Sequence, residues 1–201
     1  MKLCLFFGTS TTWGAWDRKG GWVERLRAHY FKDHFIYNLG VSGDTTCGIV
    51  KRFEQEATAR LEDFEYGEII IAFSIGGNDA SWLINEKKSQ VSEEEFGSNI
   101  EYLYEKARVI AHQVYFLSSA PVDESKTSPL PWAPHLAERN DLKEKYAGIV
   151  KDFCVEKNIP FIDVFSSWKD QNYSVWLDDG LHPNAEGHQK IFELVKNRMN
   201  I

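Results

Sequence analysis

Residues 2–12 read Lys2-Leu3-Cys4-Leu5-Phe6-Phe7-Gly8-Thr9-Ser10-Thr11-Thr12. Five consecutive apolar residues stop at a glycine, and a polar stretch follows. That run is too short for the apolar region of a leader peptide. It reads as a strand buried on both faces, since a strand covered on both sides loses the usual in-out alternation. Similar short apolar runs recur at 35–38, 69–74, 114–118 and 161–164.

The intervals between these runs carry helical spacing instead. Trp22, Val23, Leu26 and Tyr30 form one apolar stripe, and Ile49, Val50, Phe53, Ala57 and Leu61 form another. Ser92 followed by Glu95 is a capping-box signature, ahead of Phe96, Ile100, Leu103 and Ala107. Leu142, Tyr146, Ile149, Val150 and Phe153 mark a fourth helix. Asn184 is placed to cap a last one, with His188, Ile191, Phe192, Val195 and Met199 on its inner stripe. Strands alternating with helices predict an α/β sandwich around a five-stranded parallel sheet. Residues 121–134, with four prolines and Trp132, read as a long loop.

Composition narrows the possibilities. With 201 residues, 43% of them hydrophobic, the chain can bury a substantial core, and a single domain over 1–201 is expected. The net charge of -7 leaves no basic stripe to neutralise phosphates, so no nucleic-acid partner is expected. No apolar stretch approaches the length of a membrane span. Cys4, Cys47 and Cys154 are odd in number and lack C-x-x-C pairing, so they read as reduced thiols. Together with the missing leader this suggests a cytoplasmic protein. The histidines have no metal-ligand spacing with one another, and no metal or cofactor is expected.

In a parallel α/β sheet the chemistry belongs in the loops beyond the carboxyl ends of the strands. Ser10 follows the first strand there. The second strand runs into Asn38-Leu39-Gly40-Val41-Ser42-Gly43-Asp44-Thr45, with Gly40 a candidate backbone donor and Asp44 or Thr45 a helix cap. The third runs into Ser74-Ile75-Gly76-Gly77-Asn78-Asp79, where the Asn78 amide can donate to an oxyanion. Near the C-terminus, Asp178-Asp179-Gly180-Leu181-His182-Pro183 sets Asp179 and His182 three residues apart, able to face one another across one turn. A histidine oriented by a carboxylate and facing a serine is the arrangement that activates a nucleophile. Each segment alone is an ordinary turn. Their coexistence after successive strands favours a serine hydrolase.

These four blocks resemble the SGNH hydrolases, also called the GDSL esterase/lipase family. The naming letters correspond to Ser10, Gly40, Asn78 and His182, and D-G-L-H-P and G-G-N-D stand close to the family pattern. The resemblance implies a flavodoxin-like three-layer α/β/α sandwich of strand order 2-1-3-4-5 and an exposed site without a metal. It also implies Ser10, Asp179 and His182 as the triad, with the oxyanion hole made by the Ser10 and Gly40 N–H groups and the Asn78 side chain. Thr9 stands where the family usually has aspartate, from which altered loop hydrogen bonding is expected. Trp13, Trp82 and Trp132 follow motif blocks and are candidates to line the substrate cleft. The expected partner is a small ester or thioester, with thioesterase, lysophospholipase and carbohydrate acetylesterase as alternatives within the family. A ligand-binding protein without turnover is the alternative from another class. Oligomeric state is not encoded in these patterns.

Overall fold

The computed structural model describes residues 1–62, 64, 67–199 and 201. In chain order the elements are β1 (Lys2–Gly8), α1 (Ser10–Trp13), α2 (Gly21–His29), β2 (Phe35–Gly40), α3 (Thr46–Leu61) and β3 (Glu68–Ser74). They continue with β4 (Trp82–Leu83), β5 (Lys88–Ser89), α4 (Glu93–Ile110), β6 (Gln113–Leu117), α5 (Glu124–Thr127) and β7 (Leu136–Ala137). The chain ends with α6 (Asn140–Lys157), β8 (Phe161–Ile162), α7 (Val164–Trp168), a 3-10 turn at Tyr173–Trp176, and α8 (Ala185–Arg198).

The main sheet is parallel, in the order β2-β1-β3-β6-β8, which is 2-1-3-4-5 when its five strands are counted along the chain. Alternate residues of β1 feed two separate cores, because successive side chains of a strand point to opposite faces. Leu3, Leu5 and Phe7 pack with Phe53 of α3, Phe96 and Ile100 of α4, and Val150 of α6. Cys4 and Phe6 pack with Trp22 and Leu26 of α2 and with Ile191 and Val195 of α8. The result is a three-layer α/β/α sandwich with the apolar stripes read from the sequence turned inward.

The helix starts show which local signals survive packing. Ser92 Oγ accepts from Glu95 N at 3.2 Å, while the Glu95 carboxylate accepts from Cys47 Sγ, so half of the capping box forms. Asn184 Oδ1 accepts from the N–H groups of Glu186 and Gly187, as expected of an N-cap. The fifth strand is shorter than its apolar run: Asp163 accepts from Ser166 N at 2.9 Å, so Val164 opens α7. The 121–134 segment contains α5, and β7 beyond it joins β4 and β5 in a second, three-stranded sheet.

Register positions the site. Gly8 at the end of β1 is aligned with Gly40 of β2 and Ser74 of β3, so three loops leave the sheet at one level. Glycine is required at position 8, where a Cβ would lie 2.1 Å from Thr12 Oγ1 and 2.9 Å from the Ser74 carbonyl oxygen.

Candidate active site

A separation of 172 residues in sequence closes at the carboxyl edge of the sheet. Ser10 Oγ lies 3.0 Å from His182 Nε2, and His182 Nδ1 lies 2.7 Å from Asp179 Oδ2. Ser10 and His182 are both over 90% buried. For Nε2 to accept from the serine, Nδ1 must carry the ring proton, and its only sensible acceptor is the Asp179 carboxylate.

Asp179 is fixed by its own turn. Its Oδ1 accepts the N–H groups of Leu181 (2.9 Å) and His182 (2.8 Å). Gly180 takes φ +92 within that turn, and its carbonyl accepts from Asp123 N at 2.8 Å. Burial alone would raise the Asp179 pKa. The hydrogen bonds from the His182 ring and the two backbone N–H groups outweigh it and hold the carboxyl well below the usual carboxylate range. Asp178, the neighbouring carboxylate, instead flanks an open groove with Trp13, Trp16 and Arg18.

The candidate oxyanion donors are not equivalent. The Ser10 N–H has no hydrogen-bond partner among the described residues. Asn78 uses one amide hydrogen on the Asp44 carbonyl at 2.7 Å, leaving the other without a partner among the described residues, and it lines the cavity beside Ser10. The Gly40 N–H, by contrast, donates to Asn38 Oδ1 at 3.1 Å. The Gly40 α-carbon also presses on α1, since a Cβ there would lie 2.2 Å from Trp13 N. Gly43 has φ +78, and its N–H makes no hydrogen bond among the described residues.

Several charged groups hold these loops together. Asp44 and Thr45 do not cap α3 with their side chains. That role falls to Asp79, whose Oδ1 accepts Thr46 N (2.8 Å) and Thr46 Oγ1 (2.6 Å) while Oδ2 accepts Gly76 N (3.2 Å). Burial raises the Asp79 pKa against the opposing pull of those bonds. Asp44 instead receives Arg52 Nε at 2.8 Å, and the same guanidinium donates to the Gly8 carbonyl at 3.2 Å. Thr9 precedes α1 without a side-chain cap. Lys143, almost fully buried, donates to the Gly77 carbonyl at 3.2 Å. Its Nζ is also 2.7 Å from Glu138 Oε2, an ion pair whose angle falls outside hydrogen-bond geometry.

A cavity of about 40 Å³ adjoins Ser10, with Ser74, Asn78, Ser118, Ser119 and Lys143 among its walls. Of the tryptophans expected at the cleft, Trp132 stacks on the His182 ring, with centroids 6.0 Å apart and planes at 28°. Trp13 borders the neighbouring open groove. Trp82 lines neither; it belongs to the small second sheet, under the Arg139 guanidinium. Trp16, not among the expected cleft residues, does reach the site. Its indole N–H lies 2.7 Å from Asp179 Oδ2 and 3.1 Å from His182 Nδ1, and its ring meets the imidazole edge-on at 5.8 Å. Only its place six residues after Ser10 could have pointed to it.

Among the described residues no group of three or more His, Cys, Asp or Glu side chains could hold a metal ion. No helix there is long and apolar enough to cross a membrane.

Comparison with known proteins gives a consistent setting for this geometry. Residues 6–190 match a model described as the GDSL-like Lipase/Acylhydrolase family. The GDSL esterase/lipase CPRD49 of Arabidopsis thaliana is 33% identical over 83 residues, a stretch covering 39% of this chain and only 32% of that protein. The isoamyl acetate-hydrolyzing esterase 1 homolog of Homo sapiens is 23% identical over 197 residues, covering 94% of this chain and 77% of that one. Among solved structures, the lipase/acylhydrolase from Enterococcus faecalis shares the fold with a TM-score of 0.74 at 20% identity, covering 98% and 94% of the two chains. A catalytic mutant of the acetylxylan esterase Axe2 from Geobacillus stearothermophilus also reaches 0.74, at 19% identity with 99% and 94% coverage.

Proposed function

Because the chain belongs to the GDSL-like lipase/acylhydrolase family, we propose that it hydrolyses carboxylic esters of short acyl groups through an acyl-enzyme on Ser10. The observation that carries this reading is the line Ser10 Oγ, His182 Nε2, His182 Nδ1 and Asp179 Oδ2, with spacings of 3.0 Å and 2.7 Å at its two hydrogen bonds.

In the first half-reaction His182 Nε2 takes the serine proton as Oγ attacks the ester carbonyl. The imidazolium that forms is stabilised by Asp179. The Ser10 N–H and the unpartnered Asn78 amide hydrogen serve as donors to the oxyanion. Gly40 can join them only by releasing its bond to Asn38 Oδ1. Collapse breaks the bond to the alcohol oxygen, which leaves with the proton from His182. Water then enters, His182 removes its proton, and the second collapse returns the proton to Ser10 and releases the acid.

The acyl size follows from the cavity. The cavity of about 40 Å³ beside Ser10 is small, which suits an acetyl group better than a long chain. Acetates figure in the names of two of the relatives, the isoamyl acetate esterase and the acetylxylan esterase, which supports the same choice. The reading is tested with p-nitrophenyl esters of two to eight carbons and the matching thioesters, on wild type and Ser10→Ala. Acetate should lead octanoate by more than about tenfold in kcat/KM, a discrimination within reach of a few methylenes, and Ser10→Ala should be inactive. A preference for octanoate would overturn the assignment of the cavity. Binding without turnover would favour the ligand-binding alternative.

A further inference from the structure

We propose that Trp16 is a positioning residue that locks the Asp179–His182 pair through its indole N–H. The inference rests on the catalytic reading of that pair. A carboxylate offers about four lone-pair sites, and those of Asp179 are met by four donors: Leu181 N, His182 N, His182 Nδ1 and Trp16 Nε1. Without the indole, Oδ2 keeps only the bond to the imidazole, and the carboxylate can rotate about the turn that holds Oδ1. The Trp16 ring also closes one edge of the imidazole while Trp132 covers its face.

The backbone shows that Trp16 is held in place rather than resting there. It takes φ +63, a left-handed conformation rare for a bulky side chain, although its side chain is mostly exposed and gains little from burial. Its two neighbours are pinned. The Ala15 N–H donates to the Ser10 carbonyl, and the Ala15 carbonyl accepts from the buried His188 Nε2 at 3.1 Å. Asp17 accepts from Gly21 N and pairs with the Arg25 guanidinium. Ser10 and Trp16 therefore sit on one tied segment, so a bond from Trp16 to Asp179 fixes the distance between the nucleophile and its base. Strained residues that packing over-determines concentrate at functional sites.

Two variants separate this role from structural and substrate-lining ones. Trp16→Gly relieves the left-handed strain, so its melting temperature should equal or exceed the wild-type value while kcat for the acetyl ester falls. Trp16→Phe keeps a ring but loses the N–H, and kcat should fall about tenfold with KM unchanged, short of the roughly hundredfold that a 1 Å misplacement costs. A raised KM with kcat intact would make Trp16 a wall of the substrate cleft. Parallel losses of kcat and melting temperature in Trp16→Gly would make it merely structural. Indole-labelled ¹⁵N spectra test the bond without any activity: the N–H resonance absent from Trp16→Phe should move upfield and lose exchange protection in Asp179→Ala. An unmoved resonance overturns the proposal. Its movement in a protein that turns over no ester would leave the bond standing while the reaction assignment failed.

Discussion

Replacing Lys143 by Met should be among the most destabilising single changes available away from the apolar core. The side-chain stem is retained, so no large cavity opens, but Glu138 is left almost fully buried without its cation. Glu138 Oε1 keeps the Ser81 hydroxyl at 2.6 Å, which answers one oxygen only. Removing one partner of a buried ion pair costs about 3–5 kcal/mol, chiefly because the remaining charge is stranded. At roughly 2–4 °C per kcal/mol for a chain of this size, the melting temperature should fall by about 6–20 °C. The double variant Lys143→Met/Glu138→Gln should recover much of that loss, since the stranded charge is gone. Because Lys143 also holds the Gly77 carbonyl, esterase activity should fall in both variants as the Asn78 loop loosens. Urea and thermal unfolding followed by circular dichroism give the stabilities. A single-variant loss below about 1 kcal/mol, the level of an exposed pair, would refute the reasoning, as would strictly additive effects of the two changes.

Further changes test other parts of the structure. A methyl group added at Gly97 of α4 or Gly148 of α6 would meet no atom of the described residues within 4 Å, so Gly97→Ala and Gly148→Ala should each stabilise by about 0.5–1 kcal/mol in urea titrations. Burial pushes the Cys4 and Cys154 thiols up to about 12, which leaves on the order of one thiolate in ten thousand at pH 8. An Ellman titration of native protein at that pH should register at most Cys47, and slowly, since burial raises its pKa too; denaturation should expose all three. Asp179 has a folded pKa below its unfolded value, so its stabilisation is complete above about pH 4 and drains away as pH falls through the folded value. The stability gap between wild type and Asp179→Asn should therefore shrink below about pH 4 in denaturant melts and stay constant above it.

The parts legible in the sequence are those set by local patterns. Strands buried on both faces show as unbroken apolar runs, and Leu3 to Phe7 supplies both cores at once. Asp179 and His182 stand three residues apart, so their pairing is a property of one turn. What escaped was decided by tertiary contacts. Strands of two residues, such as Trp82–Leu83, carry no periodicity. The cap of α3 comes from Asp79, 33 residues away. The Gly40 N–H is taken by an asparagine two residues before it, which a motif letter does not reveal. Trp16 meets a partner 163 residues distant through a backbone conformation that no tryptophan advertises.

Activation of Ser10 as a nucleophile is read out by reaction with a fluorophosphonate probe followed by peptide mass mapping. One adduct is expected, on Ser10, absent from Ser10→Ala and strongly slowed in folded His182→Ala. Folded wild-type protein that stays unlabelled, or that carries the adduct on another residue, would contradict it.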